Sequence, residues 1–402
     1  MRKVRWESWT IAVALLATSH GVRADVTSDQ AAAIVVWPLV SVSDPAAPSL
    51  TPYAEDTLIQ LSNTSSSPVE AHCFYLNANS HCTNDGSICQ YGAQCCGGGG
   101  CGLCLPAWNE TDFNIVLTPR QPIAWIASEG LSAFCTPTQT PGERCIPLDG
   151  RARLGAVDSS GRPTSNAGTR ILPVPETPFV GELKCVAIDS DTGEPLSGSG
   201  ANVLKGEATL ENATGTRLDV GKYNAIGIRA LADPVDDGRA NVLTLQTEGG
   251  EYEGCPNVLI FNHFFDFATN PANTALQVMT WPVFVPCTQN LLQQIPGTAI
   301  AQYLVFNEFE QRFSTSNTVP CFRATGLSSI DTTQPANSIF SVGIAGSLVG
   351  QTRVTPIGAG LLAIQLESHG VDPATMLSTG QQADTNVHYQ GRRASADVIT
   401  LP

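Results

Sequence analysis

Two short stretches hold the side chains best suited to hydrolytic chemistry. "NEFEQRF" (307–313) presents Glu308 and Glu310 two positions apart, with Arg312 beside them. On a strand that spacing puts both carboxylates on one face, where such a pair can act as acid and base on a glycosidic bond. The same spacing also builds a solvated ladder whose arginine balances the charge. "FNHFFDF" (261–267) sets His263 and Asp266 in an otherwise apolar strand. A histidine there reads first as a buried or edge residue and second as a base or ligand. Beyond the leader, the other histidines are His72, His81, His369 and His388, and no Gly-x-Ser-x-Gly elbow, His-Glu-x-x-His pair or phosphate-cradling glycine loop is present. The chain is therefore read as non-enzymatic, with a hydrolase using Glu308, Glu310 and His263 as the alternative.

Carboxylates recur in two turn-like segments. "DSDTGE" places Asp189, Asp191 and Glu194 around Gly193, and "DPVDDGRAN" offers Asp233, Asp236 and Asp237. Both are weak calcium candidates, because an Asp-x-Asp-x-Gly run lets carboxylates converge over a glycine turn. Neither completes a twelve-residue loop with a terminal bidentate glutamate, and plain Asp/Gly β-turns are the simpler reading. No other cofactor is expected.

Sulfur is the densest chemistry. Six of the 13 cysteines, Cys82, Cys89, Cys95, Cys96, Cys101 and Cys104, follow the spacing C-x6-C-x5-CC-x4-C-x2-C. Only Cys101-x2-Cys104 has the turn form of a zinc ribbon, and no helix follows it to acidify a thiol, so disulfides are expected. The order resembles the inhibitor cystine-knot pattern of first-to-fourth, second-to-fifth and third-to-sixth pairing, but its last loop of two residues departs from that pattern. The expectation is a disulfide-stapled insertion at 80–106, with a protease-inhibitor-like binding knob as its functional version. Cys135 and Cys145 enclose nine loop residues and pair most simply with each other.

Disulfides imply an oxidising compartment, and the N-terminus supplies the route. Arg2, Lys3 and Arg5 precede the short apolar stretch "TIAVALLATS", and small residues lead to a cleavage position near Ala24. That stretch is too short to span a bilayer, which takes about 20 apolar residues. The protein is expected to be secreted (extracellular, periplasmic or at the cell surface) with no transmembrane segment after cleavage. Loss of the leader removes a net +3 and takes the formal charge from −15 to −18. So acidic a surface repels phosphate backbones, which excludes nucleic acid as a partner; an extracellular protein or a glycan is left.

These residues need elements to position them. Gly (36) and Pro (27) are scattered throughout, which suits short strands joined by turns and not long helices. "AAAIVVWPLVSV" (31–42) reads as a buried strand. "DTLIQLSNTS" (56–65) alternates with Thr57, Ile59 and Leu61 on one face, and "VEAHCFYLN" (69–77) follows as its hairpin partner. "TDFNIVLTP" and "VGELKCVAIDSDTGEP" alternate likewise, while 149–178 reads as a long loop. The best boundary is "LLQQIPGT", dividing a larger β-domain (25–295) from a smaller one (296–402).

Asn63 followed by Cys73-Phe74, and Asn307 followed by Cys321-Phe322, suggest a faint internal repeat of immunoglobulin-like type. The fold expected is all-β: tandem immunoglobulin-like β-sandwiches with the cysteine-rich insertion. That resemblance implies Cys73 paired with Cys185 across facing sheets with Trp125 between them. Cys321 then lacks a mate and is the candidate free thiol. Cys255 and Cys287 are left to bridge, with Cys287–Cys321 as the alternative. The segments "DTLIQLSNTSSSPVEAHCFY", "FVGELKCVAID", "YNAIGIRA", "CPNVLIFNHFFD" and "YLVFNEFEQRFSTS" are similar to those of a set of exported bacterial β-rich proteins. That resemblance implies bacterial export and a β-rich build and carries no activity, so the expected role is binding, adhesion or surface structure.

Overall fold

A computed structural model describes residues 30–44, 55–89, 92–97, 100–106, 108–130, 171–212, 219–375 and 378–402. The expected leader (1–24), the Cys135–Cys145 pair and residues 149–170 of the expected loop lie outside them. Over the described residues the protein is nearly all β, in mostly antiparallel sheets. None of the described helices is long and apolar enough to cross a membrane.

The first sheet has the strand order Ile226–Ile228, Ile34–Val42, Phe179–Ile188, Val69–Asn77, Glu110–Leu117. The second runs Pro122–Ile126, Asp56–Asn63, Leu204–Asn212, Asp219–Asn224. The two face each other across a core containing Trp37, Ile59, Leu61, Tyr75, Phe113, Trp125 and Leu210. The apolar run Ile34–Val42 is buried along its whole length. Pro38 fits there because the pairing with Phe179–Ile188 shifts register between Trp37 and Val40, a bulge that frees a ladder position lacking an N–H.

Alternation in Asp56–Asn63 buries Thr57, Ile59, Leu61 and Asn63, as the sequence pattern predicts, but its expected hairpin with Val69–Asn77 does not form. The strands lie in different sheets, and the chain crosses the core at Asn63. The buried Asn63 side chain organises that crossing: Oδ1 accepts from the Ser65 N–H at 2.9 Å, and Nδ2 donates to the Ser67 carbonyl at 2.7 Å and that of Thr118 at 3.1 Å. An asparagine can close such an Asx turn while satisfying backbone groups that no ladder reaches.

Cys73 and Cys185 are bonded, but not across facing sheets. They are directly opposed on neighbouring strands of the first sheet, with Cα atoms 4.0 Å apart. Trp125 comes from the second sheet and donates from Nε1 to the Tyr75 hydroxyl at 2.8 Å.

The second half has its own pair of sheets. One runs Arg312–Pro320, Thr298–Asn307, Val349–Gly358, Pro256–Phe264, His388–Arg392, and the other Ala268–Asn270, Asn273–Pro286, Leu361–Val371, Gln382–Asn386. Phe261, Phe265, Phe284, Tyr303, Phe340 and Val354 pack within this half. The boundary expected at 295/296 therefore runs through both sheets, because Pro256–Phe264 and Asn273–Pro286 hydrogen-bond to strands beyond residue 298. A third core joins the halves, bringing Ile34, Val36, Phe74 and Val186 of the first sheet against Val285, Leu291, Leu362 and Ile399. A small sheet of Val242–Leu245, Asp397–Thr400 and Gln289–Asn290 lies at this seam. The Cys255–Cys287 disulfide belongs to the same core, and Cys321 is a buried free thiol.

Gly206 shows how closely the first core is packed. A Cβ there would sit 2.2 Å from Trp37 Cζ2, and Trp37 is fully buried with its Nε1 donating to the Glu207 carbonyl at 3.0 Å. The Gly206→Ala variant is expected to lose about 1–3 kcal/mol by overpacking, read as a lower denaturant midpoint with an unchanged slope.

Candidate functional site

The insertion leaves the first sheet after Asn77 and returns before Glu110. Its frame is a three-stranded ribbon in which Ser80–Cys82 pairs with both Ile88–Cys89 and Cys104–Pro106. Its disulfides are Cys82–Cys95, Cys89–Cys104 and Cys96–Cys101. This first-to-third, second-to-sixth, fourth-to-fifth connectivity is not the knot pattern. The short last loop explains the difference: Cys104 lies opposite Cys82 on the ribbon and reaches Cys89 on the far strand, leaving Cys101 to the adjacent hairpin with Cys96. Cys82, Cys89 and Cys95 are buried and form the insertion's own small core with Cys104. Loops of this size contribute on the order of 3 kcal/mol per bridge by restricting the unfolded chain, so sulfur substitutes for missing apolar bulk.

Local chemistry fixes the remaining turns. Asp85 Oδ1 accepts from the Ser87 N–H at 3.0 Å and hydroxyl at 2.7 Å, bonds that hold its carboxyl below the usual range. Asn84 Nδ2 donates to the Cys95 carbonyl at 3.0 Å, and Gly102 sits so close that a Cβ would lie 2.5 Å from Asn84 Oδ1. The apolar side chains Leu103 and Leu105 are left outside, 64% and 48% exposed.

The root of the insertion is clasped by Glu176, which the sequence pattern places inside the long loop 149–178. Its Oε1 accepts from Asn77 Nδ2 at 2.6 Å and Asn79 Nδ2 at 2.7 Å, and its Oε2 lies 2.8 Å from His81 Nε2. Burial raises the carboxyl's pKa, but the bonds from Asn77, Asn79 and His81 outweigh it and hold the pKa below its ordinary value.

The catalytic candidates are not assembled. Glu308 and Glu310 lie in the turn between Thr298–Asn307 and Arg312–Pro320, not on a strand, because Asn307 folds that turn. Asn307 Oδ1 accepts from the N–H groups of Phe309 at 3.0 Å and Gln311 at 2.9 Å. Glu308 Oε2 accepts from the Leu348 N–H at 3.0 Å. Both glutamates border an open groove with Phe306, Val349 and Gly350, which His263 does not line. His263 is buried among Phe261, Phe265 and Phe340, and its two nitrogens lie 2.8 Å from Thr352 Oγ1 and 3.0 Å from the Phe264 carbonyl. Desolvation pushes its pKa down to about 4, against a smaller upward pull from the Phe264 carbonyl. It is a neutral core residue. Asp266 is equally buried and accepts from the N–H groups of Thr280 at 3.0 Å and Ser328 at 2.8 Å.

Three of the six carboxylates singled out for calcium, Asp189, Asp236 and Asp237, close turns. Asp189 Oδ1 accepts from the N–H groups of Asp191 and Thr192, each at 2.9 Å, and Asp236 Oδ1 from that of Gly238 at 2.7 Å. Asp237 pairs with Arg239 at 2.5 Å. Among the described residues, ligand atoms of three His, Cys, Asp or Glu converge at Cys82, Cys89 and Cys95 and at Cys255, Cys287 and Asp397; the sulfurs of both groups are in disulfides.

No protein-family model, curated protein or solved structure matches the chain.

Sequence reading also missed a buried cluster of Glu182, Lys184 and Gln289. Its signal is opposite charges two apart in "GELKCVAI", an otherwise apolar strand.

Two outcomes follow from these environments. Glu176→Ala removes the acceptor of three donors and is expected to cost about 1–3 kcal/mol, with faster proteolytic nicking within 80–106. Because the folded pKa of Glu176 is lowered, its contribution is present above about pH 4.5 and is lost as the pH falls through the folded value; wild type and variant should converge in acid. His263 has the same direction from a different cause. The unfolded chain protonates it near pH 6.5 and the folded chain near 4, so the contribution of His263 falls by on the order of 3 kcal/mol as the pH falls through that window. Asp266, pushed up to about 6, adds stability over the same window in both proteins, so the expected readout of chemical denaturation between pH 7 and 4 is a fall of about 3 kcal/mol in the stability of wild type relative to His263→Gln.

Proposed function

We propose that this is an exported, non-enzymatic β-sandwich protein that binds an extracellular protein partner through its disulfide-stapled knob. The carrying observation is the pairing of rigidity with apolar exposure: Leu103 and Leu105 project from an insertion locked by three disulfides. A preorganised scaffold loses little entropy on binding, and exposed leucines gain most against another apolar surface. The basic, apolar leader and the disulfides support export into an oxidising compartment at the bacterial surface or beyond.

The tandem immunoglobulin-like reading belongs to this proposal in a modified form. Each half offers two facing antiparallel sheets, as a sandwich requires, and the signature disulfide has moved into one sheet. A second reading has one specific observation in its favour: Glu308 and Glu310 border a single groove, as a hydrolase would need.

Binding is tested with wild type and a Leu103→Asp/Leu105→Asp double variant, against secreted proteins of the native medium and a glycan array. Wild type is expected to retain a protein partner at least tenfold better than the variant, with equal disulfide content in both. Retention unchanged by the double variant, or binding confined to glycans, would overturn the knob. Turnover of glycosidic or ester substrates that is lost in Glu308→Gln would establish the hydrolase instead.

A further inference from the structure

The buried Glu182–Lys184–Gln289 cluster has the composition and contacts of a cross-linking site. Glu182 and Lys184 stand two apart on Phe179–Ile188 and so share a face of the first sheet. Gln289 comes from the other half of the chain, on the small seam sheet, between Cys287 and Leu291 of the buried seam core. All three residues are 1% exposed. Lys184 Nζ lies 3.0 Å from Glu182 Oε1 and donates to Gln289 Oε1; Gln289 Nε2 donates to Glu182 Oε2 at 2.9 Å. One carboxylate thus touches both an amine and the amide nitrogen that the amine would displace.

We propose that Lys184 and Gln289 are joined by an intramolecular isopeptide bond, formed within the folded protein with Glu182 as the catalytic proton carrier. Glu182 accepts a proton from the Lys184 ammonium. The neutral amine then attacks Gln289 Cδ, forming the Nζ–Cδ bond and placing the carbonyl electron pair on Oε1. Glu182 passes its proton to Nε2 and takes another from Nζ. The Cδ–Nε2 bond breaks as the carbonyl reforms, and ammonia leaves, collecting the last proton from Glu182 as ammonium. The step consumes no oxidant, reductant or co-reactant. Its drive is geometric: a nucleophile hydrogen-bonded to the carbonyl it attacks has the high effective concentration of an oriented intramolecular pair. The dry surroundings keep water from competing for Cδ. Such a bond would tie the first sheet covalently to the seam sheet, whatever the knob binds.

Mass spectrometry of the purified exported protein, reduced and alkylated so that disulfides do not interfere, tests this directly. The processed chain is expected to be lighter than its sequence by one ammonia. Trypsin should leave Lys184 uncut and yield a branched peptide joining its segment to that of Gln289. A linear peptide cleaved at Lys184, together with an unmodified Gln289 peptide, would overturn the proposal. So would an ammonia loss mapped to an asparagine succinimide on a linear peptide. Glu182→Gln is expected to regain the full mass, and a cross-link persisting in that variant would overturn the role of Glu182. Should the variant not fold, the branched peptide of the wild type still decides whether the bond exists.

Discussion

A sheet with two dry faces is the constraint on which the rest of the molecule depends. Along Ile34–Val42, alternate residues point to different cores: Val35 and Trp37 toward the second sheet, Ile34 and Val36 toward the seam with the other half. Val69–Asn77 and Phe179–Ile188 do the same, with Tyr75 and Cys185 on one side, Phe74 and Val186 on the other. Ile34–Val42 has no solvent face and so reads as a continuous apolar run and not as alternation, whereas the other two carry polar residues, Glu70 and His72 half-buried on one and Glu182 and Lys184 buried on the other. Both faces must be covered for the sheet to be stable in water, which makes the second half a structural requirement of the first. The seam is further fastened at an edge, where Asn386 Oδ1 accepts from the Asn224 N–H at 3.0 Å and Nδ2 donates to its carbonyl at 2.7 Å.

This explains how much was legible in the sequence. Periodicity records which residues of a strand are buried, and Asp56–Asn63 and the buried run at 34–42 follow it closely. It does not record against what they are buried. The chain crosses between sheets at Asn63, whereas at Asn307 it turns back within one sheet, although both asparagines close turns with the same side-chain chemistry. Partner choice was therefore invisible locally, and so was a boundary crossed by the pairing of Asn273–Pro286 with Leu361–Val371. The disulfide frame was legible as sulfur but not as connectivity, since cysteine spacing is compatible with many pairings. In the candidate site, Leu103 and Leu105 carried no sequence signal, because exposure depends on a ribbon whose register only the folded disulfides define.

Polar groups in the dry interior obey one rule, and it separates structural residues from reactive ones. Asp266 is pushed up to about 6 chiefly by burial, yet both carboxylate oxygens receive backbone N–H groups that would otherwise be orphaned. His263 is held neutral with a partner within reach of each nitrogen. Each is satisfied where it lies, Asp266 by two backbone N–H groups and His263 by the Thr352 hydroxyl and the Phe264 carbonyl. The Glu182, Lys184 and Gln289 side chains, by contrast, are bonded to one another. A buried ion pair is poor evidence of stability, since an apolar replacement is often as stable. Its presence at the seam is better explained by what an amine, a carboxylate and a carboxamide can do together.

Sulfur follows the same economy of surface. Where the chain has too little apolar bulk, in the insertion, three disulfides supply the order that packing cannot. Where apolar surface is abundant, Cys73–Cys185 and Cys255–Cys287 lie inside existing cores and add covalent continuity to contacts already made. Cys321 is left over from this arrangement and sits in the seam core. Burial pushes its thiol up to about 11, the Phe322 backbone pulling slightly down and the Glu182 charge adding to the rise. A thiol that is both inaccessible and protonated neither attacks disulfides nor oxidises readily. An odd cysteine can therefore persist beside a dense disulfide frame without scrambling it. What protects it is the same double-faced burial that holds the two halves together.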